Sequence, residues 1–592
     1  MIASNILRAD YAGSQACVRC HEDLARAWAA SPMHNMTRLA AGAQIQAPFD
    51  GGEFRFKDDR VRFEQHDGAR VMTLYSATQG THRYRITKVI GGHHREDFAG
   101  VEVDESLAPV GISDERVLPA TWMLEARQWR YKGYSVMTRE RPGLRPGAVW
   151  KKTCIFCHNT EPYLSNLLGT LAGPSTPAYQ GELVDPLLPE ARRWKYQITD
   201  DAPLRRAIAD ELSLLRRKPV PVDGPIADVL SRAVQTTRAA FDEHNLIEVG
   251  IGCESCHNGS KAHVEHVGTL PSFAPRSPFL RVTAATGNSR AQQINRVCAR
   301  CHQVLFSQYT WTFEGGRRGV DPGGSNINSG EGRDFLLGGC ASQMSCVTCH
   351  DPHAPDNRKR MDALEGAAGS AICLGCHTNY TSADAQRAHS HHDPAGAGGQ
   401  CFGCHLPKKQ MSLENRLTRY HRVGSPNDPS RVERDRPLEC ALCHADKSAG
   451  TLVETMERWW GKRYDRVALR ALYGSLDANP LLATLSLGKP HEQAVAMAIL
   501  GANKIVAALP LLSAQLTHPI PIVRYFAVNA IESVLGHALP IDLFADNAQI
   551  RSRAAALVPV PSATGVPGGP NARGGPAGKP APADGEEEDA VR

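Results

Sequence analysis

The sequence predicts a mainly α chain with extensive loops, one small antiparallel β insert and an α-helical C-terminal segment. Three observations predict it. A Cys-x-x-Cys-His run occurs eight times in 592 residues. Residues 46–150 lack that run and alternate apolar with polar side chains. From residue 451 onward, apolar positions return at helical spacing.

The repeated run reads as a c-type haem attachment site, in which two thiols bond covalently to the haem and the following His ligates iron. The attachment cysteines are Cys17 and Cys20, Cys154 and Cys157, Cys253 and Cys256, Cys298 and Cys301, Cys346 and Cys349, Cys373 and Cys376, Cys401 and Cys404, and Cys440 and Cys443. The proximal ligands are His21, His158, His257, His302, His350, His377, His405 and His444. Sixteen of the 17 cysteines are consumed, leaving Cys340, which is expected to be a buried free thiol. Disulfide scaffolds do not require a His after each pair, and zinc sites need a second half-site that these runs lack. The cofactor expected is therefore eight covalent haem c, and the helices and loops are expected to pack around them.

Residues 1–45 form the first haem segment. Glu22–Ala30 is helical by composition and Pro32 ends it. Residues 46–150 form the β insert, from Phe54-Arg-Phe-Lys, Val61-Arg-Phe-Glu, Val71-Met-Thr-Leu-Tyr and His82-Arg-Tyr-Arg-Ile-Thr. Residues 151–250 hold the second haem motif and an insertion with two helical patterns, Leu204–Arg217 and Ile226–His244, read as solvated. Residues 251–450 carry six motifs. Segments that short cannot build apolar cores of their own, so the haems must be the core. Residues 451–545 read as successive amphipathic helices, and 546–592 as a disordered Gly/Pro/Ala tail.

Composition narrows the function. Aromatics are only 6% of residues, a deficit that porphyrins would fill. The net charge of +5 comes from dispersed Lys and Arg mixed with acids, which argues against nucleic acid as a partner. No uninterrupted apolar stretch reaches about 18 residues, so no transmembrane segment is expected and membrane association would run through a partner. Val495–Leu516 comes nearest, broken by Asn503, Lys504 and Pro510. Haem is attached to such motifs outside the bacterial cytoplasm, so a periplasmic or extracellular location is expected. The export signal is not visible in this chain, because Met1–Ala16 is short and interrupted by Arg8 and Asp10.

The second axial ligand decides between electron carrier and enzyme. The distal candidates are His34, His263, His353, His391, His392 and His421. His353, three residues after His350, would more easily reach the iron of a neighbouring haem. His266 competes with His263, and Met33 and Met36 with His34. His389, His391 and His392 lie within four residues; at least one is expected to ligate, and all three cannot. His93, His94 and His244 are weaker candidates, and His491, His518 and His537 are read as structural. Full bis-His ligation and one open iron both stay open.

At these motifs the chain resembles the multihaem cytochromes c related to nitrifier cytochrome c and hydroxylamine oxidoreductase. The likeness is closer still to members fused to C-terminal HEAT- or TPR-like repeats. It is carried by Tyr11–His21 with Trp28 and His34, Gly252–His257 with His263, and Cys346–His353. It continues through His391-His392 leading to Cys401–Lys408, and Cys440–Lys447 leading to Trp459-Trp-Gly461. Ile522–Gly536 resembles a HEAT-type helix. The resemblance implies closely spaced, largely bis-His haems in an exported electron-transfer protein, with His34, His263, His353 and His392 as distal ligands. Pentahaem nitrite reductases commonly end one motif in Lys, whereas all eight motifs here end in His. The expected function is an octahaem cytochrome c carrying electrons between exported redox partners, docked through the helical C-terminal segment. The alternative is an octahaem oxidoreductase acting on a small nitrogen or sulfur compound at one open iron; the reading leans away from an enzyme.

Overall fold

Residues 37–131 form hairpin after hairpin. Asp67 and Gly68 both take positive φ (48° and 80°), the two-residue turn whose twist suits antiparallel strands. His66 accordingly pairs with Ala69. The computed structural model describes residues 2–111, 114–132, 139–173, 188, 190, 193–284, 289–302, 330–412 and 414–558.

The strands are β1 (Thr37–Leu39), β2 (Glu53–Phe56), β3 (Asp59–His66), β4 (Ala69–Ser76), β5 (Gly80–Gly91), β6 (Arg95–Val103), β7 (Arg116–Val117), β8 (Ala120–Met123) and β9 (Gln128–Tyr131). They make one nine-stranded sheet in the order β2-β3-β4-β5-β6-β8-β9, with β1 on β5 and β7 on β6. This corrects the expected fold class. Of the described residues 44% are helical, and the β element is a large, almost closed antiparallel barrel, not a small insert in a mainly α protein. Aromatic packing closes it. Phe63 of β3 lies flat on Trp129 of β9, with ring centroids 3.6 Å apart and planes 3° apart. Phe49 meets Phe63, Phe98 and Trp129 edge-on, the arrangement ring quadrupoles favour.

The barrel has two buried sides. Its interior holds Phe54, Phe56, Phe63, Phe98 and Leu118. On the outside of β6, Ala99 packs with Trp150, Ile155 and Phe156 around the second motif. That second cluster takes in the helices Tyr163–Ala172, Asp201–Arg216 and Ile226–Ala240. The segment read as a solvated insertion is thus an apolar wall for the second motif. Leu204, Ile208, Val229 and Val234 are all nearly inaccessible.

The C-terminal helices run from Ala449–Trp460 to Asn547–Leu557. The last of these falls inside the segment expected to be tail, and its Ile550 and Ala554 are buried. Residues 559–592, the Gly/Pro/Ala stretch itself, lie outside the described residues. The helices share one core with Met411, Leu438 and Ala441 beside the eighth motif. They also seal the barrel. Phe544 meets Phe54 at 5.0 Å, and its carbonyl accepts from Lys57 N–H (2.8 Å). Buried Arg524 grips Glu140 through both guanidinium ends (3.0 and 3.1 Å). Among the described residues, no helix is long and apolar enough to cross a membrane.

Candidate haem sites

Every motif folds as one tight turn. His N–H donates to the carbonyl of the first Cys at 3.0 Å in Cys17–His21, 3.1 Å in Cys154–His158, 3.0 Å in Cys298–His302 and 2.9 Å in Cys346–His350, Cys373–His377 and Cys440–His444. Cys253–His257 and Cys401–His405 are short helices. Positions i and i+4 share a helical face, so each turn aims one thiol and the imidazole the same way. The turns are held by caps. Ser345 caps Cys346–Cys349 in a box with Thr348. Ser370 Oγ accepts from Cys401 N–H (3.1 Å), and Ser14 Oγ from Cys253 N–H (2.9 Å).

Five proximal imidazoles face a second imidazole across a gap. The ring centroids are 6.2 Å apart for His21 and His263, and for His257 and His353. They are 6.3 Å apart for His350 and His421, and 6.0 Å for His405 with His389 and for His444 with His392. Two imidazoles on opposite sides of one metal ion place their centroids about 6.2 Å apart, given metal–nitrogen bonds of about 2.0 Å. The donor set therefore fits iron between each pair.

Hydrogen bonding fixes which nitrogen is offered. Nδ1 of His405, His421 and His392 donates to the carbonyls of Gly424 (2.8 Å), Arg419 (2.9 Å) and Ser390 (2.7 Å). A carbonyl only accepts, so Nδ1 carries the proton and Nε2 keeps its lone pair for a metal. Burial pushes the His158, His257 and His350 imidazoles down to about 4, which holds them in the neutral, ligating form. His302 differs. Burial alone would lower it, but the Glu331 carboxylate, 3.5 Å from Nδ1, raises it to about 9.

The other candidates fall elsewhere. His391 stacks on Trp459 (4.8 Å), not on a proximal imidazole. His34 lies edge-on to Trp28 at 6.5 Å, with Nδ1 buried and unpartnered. His389, which sequence reasoning did not single out within its triplet, stands opposite His405. Only its spacing from His392 could have marked it: His389 lies in the last turn of the helix Ala383–Ser390, His392 lies three residues on, and the two face different motifs. Trp460 Nε1 donates to the His389 carbonyl (2.9 Å), and a Cβ at Gly398 would collide with the His392 ring. Cys340 is half-buried, not buried as expected. His94 pairs with Glu414 (2.9 Å) and His491 is wholly buried among helices.

The second motif has a charged wall. Arg95 and Asp97 project from the same face of β6 as Ala99, which packs beside Trp150 and Ile155. Asp97 bonds Arg95 Nε (3.0 Å) and Lys132, and all three charges bear on His158. Burial would raise Asp97, but Arg95 and Lys132 outweigh it and hold the carboxyl at about 2.

Residues 339–381, which span the fifth and sixth motifs, match the family described as "Doubled CXXCH motif". No curated protein matches the sequence. A crystal structure titled "Outer Cell Wall Cytochrome OcwA" is similar at 14% identity and a TM-score of 0.36, over 89% of this chain and 100% of that one. The matched doubled motif, with six further copies of the same run in the chain, supports a multihaem c-type cytochrome.

Proposed function

We propose that the protein is an octahaem electron carrier, with five of its irons held between two imidazoles. The observation that carries this is the set of five facing His pairs, each spaced for one metal ion. When bound, haem supplies a one-electron iron couple whose potential is tuned by axial ligand and surroundings. The chain's own part is positional. The Cys turns would attach the haem, and the proximal His together with His263, His353, His421, His389 or His392 would ligate its iron. Imidazoles fixed by backbone carbonyls need not move when iron changes oxidation state, which suits electron transfer.

Kinship with the hydroxylamine oxidoreductase group, and the HEAT-like nature of the helical end, belong to this reading. Their support is the motif resemblance and the helix Pro521–Leu535. So does export to the periplasm or cell exterior, where such motifs receive haem, and exchange with redox partner proteins there. Because the helical end shares its core with the barrel and the eighth motif, we read it first as scaffold. Partner docking would use its outer face.

A second reading has one specific observation behind it. The Arg95–Asp97–Lys132 wall beside His158 is a place where a small nitrogen or sulfur compound would meet fixed charges. EPR of the oxidised holoprotein, with mass spectrometry of covalent haem, separates the two. Eight haems with low-spin signals alone support the carrier. A high-spin signal of about one haem supports the oxidoreductase, and fewer than eight haems overturns both.

A further inference from the structure

We propose that Glu331 is a positioning residue of the fourth haem: its carboxylate sits behind the proximal His302 and lowers the reduction potential of the iron that His302 holds. This rests on the haem binding proposed above, and it adds what sets one site apart from the others.

Two segments build the contact. The helix Arg290–Ala299 runs into the fourth motif, and the helix Glu331–Leu337 packs against it. Gly332 makes the close approach possible. A Cβ there would stand 2.9 Å from Ala299 Cα and 3.1 Å from the His302 carbonyl oxygen. That carbonyl accepts from the N–H groups of Gly332 (3.1 Å) and Arg333 (3.3 Å). The first residue of the second helix is thereby pinned beside the imidazole.

Glu331 Oε2 lies 3.5 Å from His302 Nδ1, at the outer limit of a hydrogen bond. This oxygen is buried and has no other hydrogen-bond partner among the described residues. The second oxygen, Oε1, accepts from Gln410 Nε2 (3.1 Å). Among the described residues no Lys or Arg pairs with Glu331, and the neighbouring Arg333 is held by Asp334 (3.0 Å). The carboxylate charge is therefore left facing His302. His392, His405 and His421 instead donate from Nδ1 to neutral backbone carbonyls. Among the described residues, no other proximal His lies at ion-pair distance from a carboxylate.

A carboxylate behind Nδ1 draws on that proton and makes the imidazole a stronger donor through Nε2. The negative charge itself acts in the same direction, and both favour ferric over ferrous iron. The reduction concerned is one electron, delivered by a redox partner protein. No covalent bond forms or breaks, and the Nδ1 proton stays in the His302–Glu331 contact.

The test is an EPR-monitored redox titration of the holoprotein. Glu331→Gln keeps the shape and removes the charge, and Gln410 Oε1, buried without a partner, is at hand for the new amide N–H. The expected result is eight haems, with one one-electron component moved to higher potential and seven unmoved. Glu331→Asp, which keeps the charge, should move that component less. Gln410→Met removes the donor to Oε1, strengthens the pull on Nδ1, and should move the same component to lower potential. In a C298A/C301A background, which lacks the fourth haem, Glu331→Gln should move nothing. Unmoved potentials in Glu331→Gln, equal shifts for Gln and Asp, or a shift that survives loss of the fourth haem would each overturn the assignment. If Glu331→Gln does not hold its haems, Gln410→Met decides, and anything other than a downward shift overturns it. Fewer than eight haems in the wild type overturns the haem reading instead.

Discussion

His257 and His353 stand opposite one another, with ring centroids 6.2 Å apart and planes 13° apart, although His353 follows the fifth motif and His257 closes the third. One short segment, Cys346–His353, therefore serves two sites. His353→Ala should convert one low-spin iron to high spin, about one haem by EPR integration, and leave the covalent haem count unchanged. No spectral change would remove His353 from the ligand set.

The segment carrying His389, His391 and His392, at the end of the helix Ala383–Ser390, gives a sharper contrast. His389→Ala and His392→Ala should each raise a high-spin signal of about one haem. His391→Ala, whose ring rests on Trp459, should leave the EPR spectrum as it was. Gly398→Ala should mimic His392→Ala, because the new methyl displaces the His392 ring.

Arg524 and Glu140 are both buried and fasten the C-terminal helices to the barrel. Arg524→Met leaves Glu140 with Lys57 alone (2.7 Å), and should cost about 3 kcal/mol in denaturant unfolding of the holoprotein. Replacing both partners with Met should recover part of that loss, since an apolar pair replaces a carboxylate that has lost one of its two cations.

Deleting residues 451–592 should expose Leu438, Ala441 and Phe54 together. The expected outcome is loss of soluble holoprotein, measured by covalent haem yield. Intact haem spectra in the truncated protein would instead make this segment a separable docking unit.

Asp97 sets a pH dependence. Its folded pKa, about 2, lies below the unfolded carboxylate value of about 3.9. The stability it contributes is therefore present above pH about 4 and lost as pH falls toward 2. Asp97→Asn should cost about 3 kcal/mol near neutrality. The gap between variant and wild type should close over that acid window in pH-resolved denaturation.

The attachment turns were legible in the sequence because five consecutive residues carry the chemistry. The facing imidazoles were only partly so. His263, His353, His392 and His421 stood out by their nearness to motifs, but which motif each one faces depends on contacts between distant segments. The barrel was half legible. In β3, Phe63 and Val61 alternate with polar residues, whereas β6 is buried on both sides and shows no such period. Phe98 faces the barrel interior and Ala99 the second motif, so the cue that finds half-exposed strands was missing there. The helices Asp201–Arg216 and Ile226–Ala240 were found as helices. Their apolar stripes gave no hint that the partner would be a cytochrome motif before them in the chain.

Under the proposed ligation, the facing pairs also dictate the order of biogenesis. His21 waits for His263, His257 for His353, and His350 for His421. Each of these three sites is closed by residues that follow it in the chain, whereas His389 and His392 precede His405 and His444. A chain grown from its start therefore leaves these three sites unfinished until the later residues arrive. A fragment ending at Tyr420 would carry seven of the eight motifs and still leave His350 unmatched. An incomplete molecule would thus differ chemically from a finished one by its unmatched imidazoles.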